Sequence, residues 1–128
     1  MSLTVEIKEE HKGVFTIIPC GSIDTETYLD LEQKLNPILD ETTKLMIFDM
    51  TGVNYISSMG LGVIFNTKSF LDKHEGSLII SNLQPQVKKV FSILQALPEH
   101  IFKSMEEADA YITQIQRKEI EKRDGDRR

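Results

Sequence analysis

The chain has 128 residues, 40% of them hydrophobic and 27% charged, which is the make-up of one ordinary globular domain long enough to bury a core. Its net charge of −5 argues against a general nucleic-acid binder, which needs a basic face. The single cysteine, Cys20, excludes an internal disulfide and the usual cysteine-built zinc site. His11, His74 and His100 are spread along the chain with no pair at helical spacing, so neither a metal nor a cofactor is expected. The opening residues MSLTVEIKEEHKG are charged and lack an apolar stretch, and nowhere do the ~18 apolar residues of a membrane span run together. No membrane insertion and a cytoplasmic location are therefore expected.

Leu3, Val5 and Ile7 alternate with Thr4, Glu6 and Lys8, which predicts a half-buried strand over Leu3 to Glu9. After a turn at His11 to Gly13, the β-branched run Val14 to Cys20 predicts a second strand. The short connection predicts antiparallel pairing, with Gly21 breaking the strand. The spacing of Tyr28, Leu31, Leu35, Ile38 and Leu39 predicts a helix that ends near Leu39, with Asp24 or Thr25 as its N-cap and Pro37 bending its last turn. The apolar run Lys44 to Met50 predicts a buried central strand, and Thr51 to Ile56 a loop. A helix is expected over Ser58 to Lys73, ended by Gly76, then a buried strand over Ser77 to Ser81. Pro85 opens a third helix, Gln86 to about Gln95, with Val87, Val90, Phe91 and Leu94 on one face. Pro98 ends that region, and Ile101 with Phe102 is expected as a short edge strand. Ser104 and Glu107 form a capping-box signature for a last helix from Met105 towards Ile120.

Strands alternating with helices call for right-handed crossovers and a mixed, largely parallel central sheet of four to five strands with about four helices, an α/β fold. The single domain is expected over residues 1–116. Residues 117–128 (RKEIEKRDGDRR) hold six basic and four acidic residues and are expected to fray. Their net +2 leaves −7 on the body of the chain.

The segment Phe48 to Val63 carries more information than the rest. It runs from a buried strand through a polar loop into a helix start that holds Ser57, Ser58, Gly60 and Gly62. The first N–H groups of a helix have no partners within it and carry partial positive charge, so a serine there either caps the helix or bears a phosphate next to those donors. Two glycines in one helical turn cost ~1 kcal/mol each relative to alanine, which points to something approaching the backbone closely. Asp49, at the end of a buried strand, needs local hydrogen bonds and reads as structural. In the helix itself, Leu61, Ile64, Phe65 and Leu71 share one face, while Met59, Val63 and Phe70 make a second. That second face either packs on a neighbouring helix or stands open to a partner, in which case Met59 and Val63 are its anchors.

These residues resemble the signature of the STAS domain family, which includes bacterial anti-sigma factor antagonists. The family segment is a strand ending in D-(L/M), a short loop, then (F/Y)-(I/M)-D-S-(S/T/A)-G-L-G-V. Here it reads Phe48-Asp49-Met50, then Tyr55-Ile56-Ser57-Ser58-Met59-Gly60-Leu61-Gly62-Val63. A second family element, G-x-(I/L)-D, is matched by Gly21-Ser22-Ile23-Asp24, and the element order agrees over about residues 3 to 115. The resemblance implies a STAS-like single domain, and a partner surface made by Asp24, Ser57, Ser58, Met59, Gly60 and Val63. Phosphorylated family members carry the acceptor Ser or Thr directly before Gly-Leu-Gly, where this chain has Met59. Ser58, one residue earlier, becomes the phosphorylation candidate, with Ser57 behind it.

The resemblance implies a binding module: an antagonist that captures an anti-sigma factor of the serine-kinase type and so frees a sigma factor, with or without a serine switch. An alternative keeps the fold but makes the chain an unswitched adaptor subunit of a membrane transport or signalling complex. An enzyme would need a nucleophile with its base, paired carboxylates or a metal cluster, and neither Ser57 nor Ser58 has such a neighbour in sequence. No catalytic residue is therefore assigned. A homodimer is compatible with all of this.

Overall fold

The computed structural model describes residues 2–96 and 105–126, in the order β1 (Leu3–His11), β2 (Val14–Ile23), α1 (Tyr28–Leu35), β3 (Leu45–Asp49), β4 (Gly52–Ile56), α2 (Ser58–Lys73), β5 (Ser77–Ser81), α3 (Pro85–Ala96) and α4 (Met105–Asp126). The expected edge strand at Ile101–Phe102 and the capping serine Ser104 lie outside the described residues. The alternating and β-branched runs form the antiparallel β1–β2 hairpin, with Leu3 opposite Gly21 and His11 opposite Val14. Every other pairing is parallel, and the sheet order is β1-β2-β3-β5 with β4 also on β2.

Strand β2 is long enough to serve two partners. Since β1 lines one of its edges, β3 and β4 share the other. Val14 to Ile17 pair with Leu45 to Phe48, and Cys20 to Ile23 pair with Gly52 to Ile56. Gly21 therefore does not end the strand. It sits at φ +121, next to a register shift between Gly21 and Ser22, and a Cβ there would lie 2.6 Å from the Ser2 carbonyl oxygen. The glycine carries the strand through a bulge. This corrects a second expectation: Gly52–Ile56 is a strand, not a loop. Its apolar residues Val53 and Ile56 do not alternate, so its extended form comes from pairing with β2 rather than from its own pattern.

Ile7, Ile17, Phe48 and Ile80 stand in register across four strands and make the centre of the inner face. Leu31 and Leu35 of α1, Leu61, Ile64 and Leu71 of α2, and Val87 and Val90 of α3 join the same buried cluster. Helix α1 starts later than expected and gives way to a 3-10 turn at Asn36–Ile38, because Pro37 has no N–H to donate to the ladder. Helix α4 runs past Ile120, the expected end, and the charged residues from Arg117 onward continue it to Asp126. Among the described residues no helix is long and apolar enough to cross a membrane, and no group of three or more His, Cys, Asp or Glu could hold a metal ion.

Candidate functional site

Open α/β sheets carry their sites outside the carboxyl ends of the strands. Here β2 and β4 end side by side, with Ile23 paired to Ile56. The residues that follow, Asp24 and Ser57, thereby reach the same end of the sheet.

Asp24 does its capping one turn ahead of α1. Its Oδ1 accepts from the Thr27 N–H at 3.1 Å and the Glu26 N–H at 2.9 Å, while its own N–H donates to Thr27 Oγ1 at 2.9 Å. This reciprocal bond is a capping box closing the turn between β2 and the helix, and it leaves Asp24 half-buried. The residue at the N-cap position of α1 itself is Thr27.

At the start of α2 the two serines part company. Ser57 is the N-cap. Its backbone is extended, its N–H donates to the Ile23 carbonyl at 2.8 Å, and its Oγ accepts from the Gly60 N–H at 3.2 Å. It is 1% exposed, so its hydroxyl is buried in the fold as the helix cap. Ser58, the first helical residue, faces away from β2 and is half-buried. Its N–H and its Oγ both donate to Asp109 Oδ1 of α4, each at 3.0 Å. Met59 is likewise half-buried.

The glycines divide in the same way. A Cβ on Gly60 would meet Ile23 Cγ2 at 2.6 Å and the Ile23 carbonyl oxygen at 2.9 Å, so this glycine lets α2 sit on the end of β2. A Cβ on Gly62 would meet nothing within 4 Å. Val63, named as a partner anchor, is 5% exposed and belongs to the core, so the second apolar face of α2 is spent on packing at this position. A shallow groove of about 270 Å³ lies between α1 and α2, lined by Glu32, Asn36, Leu39, Asn66 and Phe70 with the edge of Val63.

Helix α4 supplies what the sequence reading missed. Besides Asp109, its Thr113 Oγ1 lies 2.7 Å from Tyr55 Oη. Gln116, buried at 1% exposure, accepts from the Ile56 N–H at 2.9 Å and donates to the Ile56 carbonyl at 2.8 Å. Gln86 of α3 donates to the Asn54 carbonyl at 2.8 Å. Two glutamine side chains thus pair the edge of β4 that faces away from β2, in the way a further strand would. The signal was present: Asp109, Thr113 and Gln116 fall at i, i+4 and i+7, a polar stripe on the side of α4 that also carries buried Ile112.

Asp49 has the structural role expected of it. Its Oδ1 accepts from Thr51 Oγ1 at 2.7 Å, from the Thr51 N–H at 3.1 Å and from Asn82 Nδ2 at 3.2 Å. The Thr51 hydroxyl foremost, then its N–H, holds the Asp49 carboxyl below the ordinary aspartate value.

Comparison with known proteins places this arrangement. An anti-sigma-B factor antagonist of Bacillus subtilis is 31% identical over 93 residues, covering 73% of this chain and 84% of that protein. The anti-sigma factor antagonist SpoIIAA in its unphosphorylated form superposes with a TM-score of 0.65 at 18% identity, over 72% of this chain and 81% of that one. The murine anion transporter Slc26a9 gives a TM-score of 0.57 at 19% identity, over 79% of this chain and 16% of the transporter. The STAS domain profile matches residues 6–108, and on that span and the 31% relative this chain belongs to the STAS domain family.

Proposed function

We propose that this protein is an anti-sigma factor antagonist that acts by binding an anti-sigma factor of the serine-kinase type, and that Ser58 is its phosphorylation switch. The observation that carries the reading is the division at the start of α2 in a chain 31% identical to an anti-sigma-B factor antagonist. Ser57 and Gly60 are used up by the sheet end, whereas Ser58 and Met59 are half-buried and a Cβ on Gly62 would meet nothing. The docking surface then consists of the Asp24 turn, Ser58, Met59 and Gly62, continuing into the α1–α2 groove at Asn66 and Phe70. Met59 supplies a soft, adaptable contact where relatives of the switched type carry their acceptor, and Gly62 lets a partner's backbone approach.

Transfer to Ser58 forms an Oγ–P bond, breaks the bond between the terminal phosphoryl group of a nucleoside triphosphate and the leaving diphosphate, and gives the hydroxyl proton to a base of the kinase. The product carries about −1.5 to −2 at neutral pH on a domain that is already acidic, and it repels or reshapes the docked partner.

The test is affinity capture from the native cell extract, with wild type and Ser58→Asp in parallel. Wild type is expected to recover an ATPase-like serine kinase that Ser58→Asp loses, and Ser58→Ala is expected to abolish phosphate incorporation by that kinase. Recovery of one transporter or receptor component by both forms overturns the switch and leaves an unswitched adaptor.

A further inference from the structure

We propose that α4 is a latch over the switch serine, with Asp109 as its pin, so that phosphate on Ser58 and docking of the first turns of α4 exclude each other. The inference rests on Ser58 being the acceptor and adds an internal device to that reading.

One carboxylate oxygen, Asp109 Oδ1, takes both donors of Ser58, the backbone N–H and the hydroxyl, at 3.0 Å each. The carboxylate lies at the N-terminus of α2, the position that the helix's free N–H groups and partial positive charge make favourable for an anion. The chain therefore fills that position with its own side chain. Three consequences follow from the chemistry. The hydroxyl must leave Asp109 before it can attack a phosphoryl donor. Once esterified, Oγ has no proton left to donate to Asp109. The phosphate, itself an anion and attached at Ser58, then competes for the Ser58 N–H and repels the carboxylate.

Ties further along α4 set how far the release travels. Thr113 to Tyr55 is one bond at a half-buried site, while Gln116 makes two bonds to the Ile56 backbone in the core and Ile112 is buried beside it. Release is thus confined to the turns before Ile112, about residues 105–111, with buried Ile112 and Gln116 as the fixed end. Opening uncovers the Ser58 side of the α2 start, next to the docking surface.

Amide exchange on the intact chain, read by mass spectrometry, tests the latch without a partner. Ser58→Asp sets two carboxylates against each other and is expected to speed exchange over residues 105–111 at least tenfold, with β3 unchanged. Adding Asp109→Asn, whose amide can donate to the new carboxylate, is expected to bring exchange back within threefold of wild type. Wild-type protection over 105–111 in Ser58→Asp overturns the latch. So does faster exchange that appears equally in β3 and is not restored by Asp109→Asn, since that reports general destabilisation. Capture of the kinase by wild type and its loss in Ser58→Asp, with α4 protection unmoved, removes the latch and keeps the antagonist. A released α4 with no kinase captured by any form keeps the coupling between Ser58 and α4 and removes the antagonist reading.

Discussion

The first turn of α2 has an inward and an outward half that answer to different constraints. Inward, Ser57 caps the helix, Gly60 rests on Ile23, and Val63 and Ile64 enter the core. Outward, Ser58 is tied only to another helix, Met59 is partly open, and a Cβ on Gly62 would touch nothing. A motif of a few residues therefore contains two kinds of requirement. One is set by the sheet end beneath the helix, and the other by the bond from Ser58 to α4 and the open space over Gly62. Equivalent substitutions on the two halves should move stability in opposite directions.

The largest expected effect is at Val63. Val63→Asp places an uncompensated carboxylate among apolar neighbours beside the Glu32-lined groove, and should cost about 3–5 kcal/mol in urea unfolding. If the midpoint stays within experimental error of wild type, Val63 belongs to the outward half and the division is misdrawn. Next comes Gly60→Ala. Its Cβ would lie 2.6 Å from Ile23 Cγ2 and 2.9 Å from a backbone oxygen that cannot easily move. Overpacking of about 1–3 kcal/mol outweighs a propensity gain of about 1 kcal/mol, so the variant should melt several degrees lower. A rise in Tm would mean that α2 can lift off β2 without cost.

Ser57 gives a smaller and chemically sharper test. Ser57→Ala removes the acceptor for the Gly60 N–H and should cost about 1 kcal/mol, whereas Ser57→Asp keeps an acceptor there and should recover most of it. Equal losses for both would show that the buried site rejects charge more strongly than it needs a cap. Neither variant should remove phosphate incorporation at Ser58.

The parts of this architecture legible in the sequence were those encoded locally. Helix α2 and strand β5 were expected over the ranges they occupy, because apolar spacing and Gly76 between them mark both, although β5, expected to be buried, is an edge strand with Ile79 exposed. Strand β4 was read as a loop because its extended form is imposed by β2, which the sequence reading ended at Gly21. The same error hid the neighbourhood of Asp24 and Ser57, which follows from the register of Ile23 with Ile56. The motif located the candidate site and ranked Ser58 ahead of Ser57, but not by what each hydroxyl meets. What separates them is a contact with Asp109, 51 residues further on, and no local pattern encodes a partner at that distance. Val63 misled for a related reason: helical spacing says which residues share a face but not whether the face is covered.

Gly62→Ala carries the smallest effect and sharpens the comparison most. The added methyl group meets no atom within 4 Å, and alanine is favoured over glycine in a helix by up to ~1 kcal/mol, partly because the unfolded chain loses freedom. The variant should therefore gain about 0.5–1 kcal/mol, a rise of roughly 4 °C or less in Tm. Nothing among the described residues calls for a glycine here, and the proposed docking surface gives it a use. Capture of the anti-sigma factor by Gly62→Ala should weaken several-fold while Tm rises, a change of opposite sign in two assays on one variant. General damage to the domain would lower both. A stabilised variant that binds its partner as tightly as wild type would place Gly62 outside the interface and confine the docking surface to Asp24, Ser58 and Met59.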